Sequence, residues 1–551
     1  MNRLKLRAPS FWTITVIVLT ALVIIFLVYP FASLFLKSFF HPKTGDVSLV
    51  NYEKFFNTPY YFNTLKRSLL VSTVTTVLAV LLGVPIAYIT SRYNVWGKPV
   101  INVMIILSML SPPFIGAYSW ILLLGRNGFI TNLMEKIGIT MPAIYGFYGM
   151  VLVFTLKLFP YVYLYVHGAL GSIDSSLEEA AESLGMNKLR RMLTVTFPVI
   201  MPTISAAALV VFMTSMADFG TPLLIGEGYK VLPVVVYEEY MSDIGGDAII
   251  ASTLSTIIVL CAVVVLFLQK AYVSRRNYRM SFLRPPQVQK LPFGRRLVLT
   301  AIAFIVAFAA MLPQFTVIVT SFLKTRGPLF VAGFSLDSYR QIGFKLSKNI
   351  MNTFLFSSIA IVLMILLGLL LSYIIVRRKS RMASFLDAAA MFPYVIPGAV
   401  IGIGLVTAFN RPPLLLTGTM AILIVSYIIR KLPFVLRSST AILQQIDPSI
   451  EEASISLGVP PMKTFFKTTA ILMIPGLISG GILSWVSTIN ELSSTLILYA
   501  GNTGTISVAI FNEIFKDSFG TAAALASILS FATVISLAVF NKVSGGRSVL
   551  M

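Results

Sequence analysis

Long apolar stretches recur from one end of the chain to the other, broken by short polar or basic segments. The first set lies near 11–39, 66–91, 100–124, 141–166, 193–217 and 247–269. A second set lies near 296–322, 350–376, 385–409, 413–435, 467–488 and 519–541. Each approaches the roughly 20 apolar residues that carry a helix across a bilayer core. The pattern therefore predicts an all-α polytopic membrane protein with about twelve transmembrane helices. Composition agrees: hydrophobic residues make up 57% and charged residues 12%, against roughly 25% charged in soluble domains, and the mean hydropathy is +0.86. The first stretch follows Arg3, Lys5 and Arg7 and so starts like a signal peptide. It continues to about Phe40 without a small-residue cleavage site, and is expected to be a retained span.

Charge orients the spans. A net charge of +22 in a soluble protein would suggest nucleic acid, but the positive-inside bias of short loops accounts for it here, and no nucleic-acid partner is expected. Eight Lys and Arg residues fall between Lys270 and Arg296, and four in the turn RRKSR, Arg377 to Arg381. The loop from Asp218 to Asp247 is acidic instead, with Glu227, Glu238, Glu239 and Asp243 against Lys230. Placing the basic loops in the cytoplasm puts both termini there too. The stretch RPPQVQKLPFG, Arg284 to Gly294, reads as a linker. It sets a boundary near 290, giving a first permease domain over 1–290 and a second over 291–551.

The two sets of spans are related. EEAAESLGM starts at Glu178, and EEASISLGV starts 273 residues later at Glu451. LLGVPIAYITSR, Leu81 to Arg92, matches LLGLLLSYIIVR, Leu366 to Arg377, and SPPFIGA from Ser111 faces IPGAVIG from Ile396. ADFGTPLLI from Ala217 faces NELSSTLIL from Asn490, and VLPVVVYEEY from Val231 faces TISVAIFNEI from Thr505. Duplication in one orientation implies halves related by a pseudo-twofold axis along the membrane normal, with the seam between them as the natural pathway.

The duplicated polar motif is too polar to span. Asp174 is placed to cap one helix, and Asp447 to cap the other with Pro448 at its first position. Glu178, Glu179, Glu451 and Glu452 lie in early turns, where the helix dipole favours negative charge. Gly185 and Gly458 stand where a helix ends in a left-handed residue. Each motif encodes a self-terminated helix of about ten residues, roughly 15 Å long. The plain alternative is a solvated connector, but its repetition favours docking. Small residues between acids (Ala180, Ala181, Ala453, Ser454) suit insertion into a partner's groove, and two copies suit two equivalent partners.

Glu179-Ala180-Ala181, Gly185 and then Val195-Thr196-Phe197-Pro198 resemble the EAA-loop signature of ABC importer permeases, and Glu452-Ala453-Ser454 with Gly458 resembles its first part. The loops fall near 174–202 and 447–475. Ile471 stands opposite Pro198, so the turn into the next span is expected to differ between halves, although Pro475 answers Pro202. The resemblance implies a type I importer permease with both transmembrane domains fused, in a bacterial plasma (inner) membrane. It implies that the short helices are coupling helices seated on two copies of a cytoplasmic ATPase subunit. An extracytoplasmic solute-binding protein would deliver the substrate. The chain contains no G-x-x-x-x-G-K-[ST] phosphate loop. ATP and Mg are thus expected on the ATPase, no cofactor on this chain, and the chain itself is not an enzyme.

Intramembrane acids are costly and usually functional. Asp218 and Glu491 occupy equivalent places at the ends of the fifth spans, next to Asn490. They are read either as interfacial helix-end residues or as a pathway or gate suited to a cation or cationic chelate. Pro112, Pro113, Pro397 and Gly398 are candidate bends. His41, His167 and Cys261 form no metal-ligand pattern, and no metal site is expected. The fused arrangement with ADFGTP and NELSSTLIL is most similar to ferric iron permeases, which implies iron(III) as cargo. Thiamine, putrescine or a phosphonate would suit the same machine. An ion-gradient-driven secondary transporter, in which Asp218 or Glu491 would bind protons or sodium, is the alternative of another class.

Overall fold

A computed structural model describes residues 11–42, 44–109, 113–242, 247–274, 288–327, 329–394 and 396–543. Arg3, Lys5, Arg7, Ser111, Pro112, Asp243 and the linker residues 275–287 lie outside the described residues. The described chain is almost wholly helical, with one antiparallel hairpin of Leu323–Arg326 and Leu329–Phe334. A bilayer core offers no water to unpaired N–H and C=O groups, so helices that satisfy their own backbone are the available solution.

Nine described helices are long and apolar enough to cross a membrane. Helices Arg381–Tyr394 and Gly398–Phe409, inclined at 115°, make a tenth crossing if counted as one broken span. The bend expected at Pro397 and Gly398 is thus present. Within the span expected near 100–124, helices Lys98–Met109 and Pro113–Leu124 are described, and residues 110–112 between them lie outside the described residues. The one expected near 413–435 is the longer helix Met420–Gln445, whose Arg430, Lys431 and Arg437 reduce its apolarity. The acidic segment after Asp218 is more ordered than a loop. It folds into helices Gly220–Ile225 and Leu232–Met241, matched in the second half by Thr495–Leu498 and Ile506–Phe515.

The duplication extends to hydrogen bonds. The N–H of Leu232 donates to Ser68 Oγ at 2.8 Å, and that of Ile506 to Thr353 Oγ1 at 2.7 Å. In each case a hydroxyl from a distant long helix, Pro59–Arg92 or Ser347–Arg377, accepts one of the donors that a helix start leaves unpaired. Just after each polar motif the chain makes a π-helical turn, Met192–Thr196 and Phe465–Thr469, before the next span. Both halves therefore enter that span alike, and the exchange of Pro198 for Ile471 does not alter the turn.

Two compact units divide the chain differently from its repeat. One comprises residues 1–47, 344–509 and 535–546; the other comprises 48–343, 510–534 and 547–551. The opening helix of each sequence half is built into the unit that holds most of the other half. In the first unit, Trp12 of helix Phe11–Val23 stacks on Tyr373 at 4.4 Å and meets Phe465 edge-on at 4.9 Å. In the second, helix Phe293–Ser321 supplies Thr300, whose hydroxyl accepts from the Trp96 N–H at 3.2 Å. It also supplies Pro313, whose carbonyl accepts from Ser119 Oγ at 3.0 Å.

The glycine of each LLG motif has a packing reason. A Cβ on Gly83 of helix Pro59–Arg92 would lie 2.8 Å from Val162 Cβ. One on Gly368 of helix Ser347–Arg377 would lie 2.5 Å from Val435 Cγ1. Val162 and Val435 are themselves repeat-equivalent, so the same close helix crossing is built twice. Small residues at such crossings let backbones approach where the hydrophobic effect drives nothing. Gly83→Leu and Gly368→Leu should each destabilise the protein by about 1–3 kcal/mol through overpacking. Thermal unfolding in detergent should separate them from Gly168→Ala, where no atom stands within 4 Å of the added Cβ.

Candidate functional site

The two polar motifs form the short helices Ser175–Ser183 and Ser449–Ser456. Asp174 accepts the Ser176 N–H at 2.9 Å and Asp447 accepts the Ser449 N–H at 2.8 Å. Pro448 already has helical dihedrals, φ −55° and ψ −27°, so the second helix effectively starts there. The hydrogen bond from the Ser449 backbone holds the Asp447 carboxyl below the usual carboxylate range. At the other end, Gly185 and Gly458 adopt φ of 77° and 85°. The Met186 N–H then reaches the Ala181 carbonyl at 3.1 Å, and the Val459 N–H reaches that of Ser454 at 3.2 Å. These are the closing bonds of a Schellman end, which a left-handed glycine permits.

The side chains on these helices divide into two faces. Glu179, Ala180, Glu452 and Ala453 are exposed, whereas Ala181 is buried and Ser454 half-buried, its hydroxyl 3.0 Å from that of Thr464. Leu184 and Leu457, equivalent in the repeat, are 79% and 84% exposed at the tips of the helices. Leu177 and Ile450, also equivalent, lie exposed about two turns earlier. Leaving large apolar side chains in water at the same places twice is the mark of a surface awaiting a partner. Sequence reasoning attended to the acids and small residues and passed over these leucines, although each directly precedes the glycine it had identified.

The first glutamate of each doublet points the other way. Glu178 accepts from Arg92 Nη2 at 2.8 Å and from Thr196 Oγ1 at 3.0 Å. Glu451 accepts from Arg377 Nε at 3.0 Å and from the Tyr373 hydroxyl at 3.0 Å. Arg377 Nη2 also donates to the Ile446 carbonyl at 2.8 Å.

At the ends of their spans, Glu491 is buried and Asp218 half-buried, and both are paired. Lys157 Nζ lies 2.7 Å from Asp218 Oδ2, while Asp218 Oδ1 accepts the Thr221 N–H at 2.9 Å. Glu491 bonds Arg430, lies 3.1 Å from Lys431 Nζ, and accepts the Ser494 N–H at 3.2 Å. Asn490 donates its amide to the Val486 carbonyl at 2.8 Å, back onto its own helix. Both acids of the pair expected to face a cation have cationic partners in this structure. Each carboxylate is neutralised within its own unit, and around Glu491 the two cations exceed the one anion. Lys157 and Arg430 are repeat-equivalent and each lies 61 residues before its acid. Their signal was present in the sequence as cations inside apolar spans, each three residues before a proline, Pro160 and Pro433. Gly398 completes the second arrangement, since a Cβ there would lie 2.4 Å from Arg430 Nη1. Among the described residues, no group of three or more His, Cys, Asp or Glu is placed to hold a metal ion.

The sequence profile of a family described as binding-protein-dependent transport system inner membrane component matches residues 79–278 and 364–545, once in each half. The ferric transport system permease protein FbpB of Actinobacillus pleuropneumoniae is 28% identical over 534 residues, covering 95% of this chain and 77% of that protein. The Fe(3+)-transport system permease protein FbpB 2 of Haemophilus influenzae is 24% identical over 539 residues, covering 97% and 99%. The spermidine/putrescine transport system permease protein PotB of the same organism is 27% identical over 248 residues, covering 43% of this chain and 86% of its own length.

Removing one partner of a buried ion pair strands a charge, at a cost of about 3–5 kcal/mol. Lys157→Met should therefore sharply lower the yield of folded protein in detergent. Lys157→Met with Asp218→Asn, which keeps an oxygen for the Thr221 N–H, should recover most of that yield in size-exclusion chromatography.

Proposed function

The chain belongs to the family of binding-protein-dependent transport system inner membrane components, and on that premise we propose that it is the permease of an ATP-driven importer of iron(III). The observation that carries this reading is the pair of short surface helices. Each is capped and terminated by its own residues, and each exposes a leucine beside a glutamate and an alanine. Such a face suits a groove on a protein partner, and two equivalent faces suit two copies of an ATPase subunit that binds ATP and Mg. Glu179, Ala180, Leu184, Glu452, Ala453 and Leu457 are the proposed contacts. A solute-binding protein would hand over the substrate on the opposite side. The basic loops support a plasma (inner) membrane orientation with both termini in the cytoplasm.

In this mechanism, nucleotide binding and hydrolysis on the partner shift the short helices, and the spans alternate between outward and inward access. The chain's role is to convert a displacement at the cytoplasmic face into an opened pathway. Iron(III) is supported by the two ferric-transport relatives that align along almost the whole chain. The buried pairs at Asp218 and Glu491 serve as fixed points of the spans near the pathway, because their charges are already compensated.

Glu179→Arg together with Glu452→Arg should abolish co-purification of the ATPase subunit with this chain, and unchanged association would refute the docking face. Cells producing the intact system should take up radiolabelled iron(III) in an ATP-dependent manner, with no competition from excess thiamine, putrescine or phosphonate. Uptake that outlasts ATP depletion but collapses with the ion gradient would identify a secondary transporter instead.

A further inference from the structure

We propose that the first glutamate of each doublet is a tether rather than a docking contact, fixing the short helix to a span that is not its neighbour in sequence. This rests on the docking reading above and assigns separate tasks to adjacent residues. Glu178 is bound by Arg92, the last residue of helix Pro59–Arg92, and Glu451 by Arg377, the last residue of helix Ser347–Arg377. The short helices are joined covalently only to the spans on either side of them. Without the tie, a push on the short helix would reach the arginine-bearing span only through side-chain packing.

Three observations support a transmitting role. The first is burial: Glu178 and Glu451 side chains are only 21% and 13% exposed, next to arginines still less accessible or equally so. Exposed ion pairs yield readily to water and salt, whereas shielded ones hold their geometry. The second is repetition across a change of length. Arginine and glutamate are 86 residues apart in the first half and 74 in the second. The intervening chain has altered by a dozen residues while the same two charges still meet. The third is that each tie gathers more than two elements. Thr196, in the π-helical turn that opens the next span, shares Glu178 with Arg92. Arg377 also holds the Ile446 carbonyl, where helix Met420–Gln445 ends. In each unit, the short helix, the arginine-bearing span and an adjoining span thus form one mechanical body.

Glu179 and Glu452, one residue on, are turned to solvent. Neutralising the inner glutamates should therefore leave the partner bound while disconnecting its stroke. The experiment uses the full complex with its ATPase and binding protein in proteoliposomes, and reads three quantities. These are ATPase co-purification, binding-protein-stimulated ATP hydrolysis, and iron(III) uptake per ATP hydrolysed. With Glu178→Gln and Glu451→Gln in one chain, co-purification should stay within two-fold of the wild type while uptake per ATP falls ten-fold or more. The exchanged variant (Arg92→Glu with Glu178→Arg, and Arg377→Glu with Glu451→Arg) should recover at least half of the wild-type ratio, and it remains decisive if the glutamine variant fails to fold. Co-purification lost in parallel with uptake would overturn the tether and make these residues docking contacts. An unchanged uptake per ATP, or an exchanged variant that binds ATPase without recovering the ratio, would overturn it as well. If the wild-type chain binds no ATPase, the docking reading itself fails, which is a separate outcome.

Discussion

A bilayer core supplies no hydrogen bonds, and this constraint organises everything else in the molecule. It makes the chain helical, and it makes any polar group within the spans answerable to another polar group of the protein. The consequences are visible at particular residues. Ser68 and Thr353 give their oxygens to the buried first turns of Leu232–Met241 and Ile506–Phe515. Asp218 and Glu491 sit against Lys157, Arg430 and Lys431. Each such solution occurs twice, because the chain is a duplication and each half meets the same requirement.

Outside the core the constraint relaxes, and polar residues take on other tasks. The doublet at the start of each short helix combines two of them. Glu178 and Glu451 face inward to arginines at the ends of long helices, while Glu179 and Glu452 face water beside nearly bare leucines. A helix turns by about 100° per residue, so adjacent residues necessarily point in different directions. One short helix can thereby hold its own protein with one glutamate and present another to a partner.

Compensated charge also changes the meaning of the intramembrane acids. An unpaired carboxylate pair would have offered a cation an attractive site within the spans. Paired with cations from the preceding helices, the same residues join helices that the loops leave apart. In the second half the excess of positive charge makes direct attraction of a cation at Glu491 less favourable still.

Much of this was legible in the sequence. Hydrophobic spacing revealed the helices, and the repeat of EEAAESLGM as EEASISLGV revealed two capped surface helices with glycine ends. Those are local properties, set by the side chains and dihedrals of a few neighbouring residues. The pairing of Arg92 with Glu178 was not legible, nor that of Lys157 with Asp218, although all four residues stood in plain view. The exchange of the opening helices between units was likewise hidden, because an apolar surface does not specify which apolar surface will cover it. Sequence determined which segments are helical, where they end and that they come in two sets. Tertiary structure alone decided which helices are neighbours, and hence which charges are neutralised and which faces remain exposed, because ion pairing and packing depend on distances in space that sequence separation does not record.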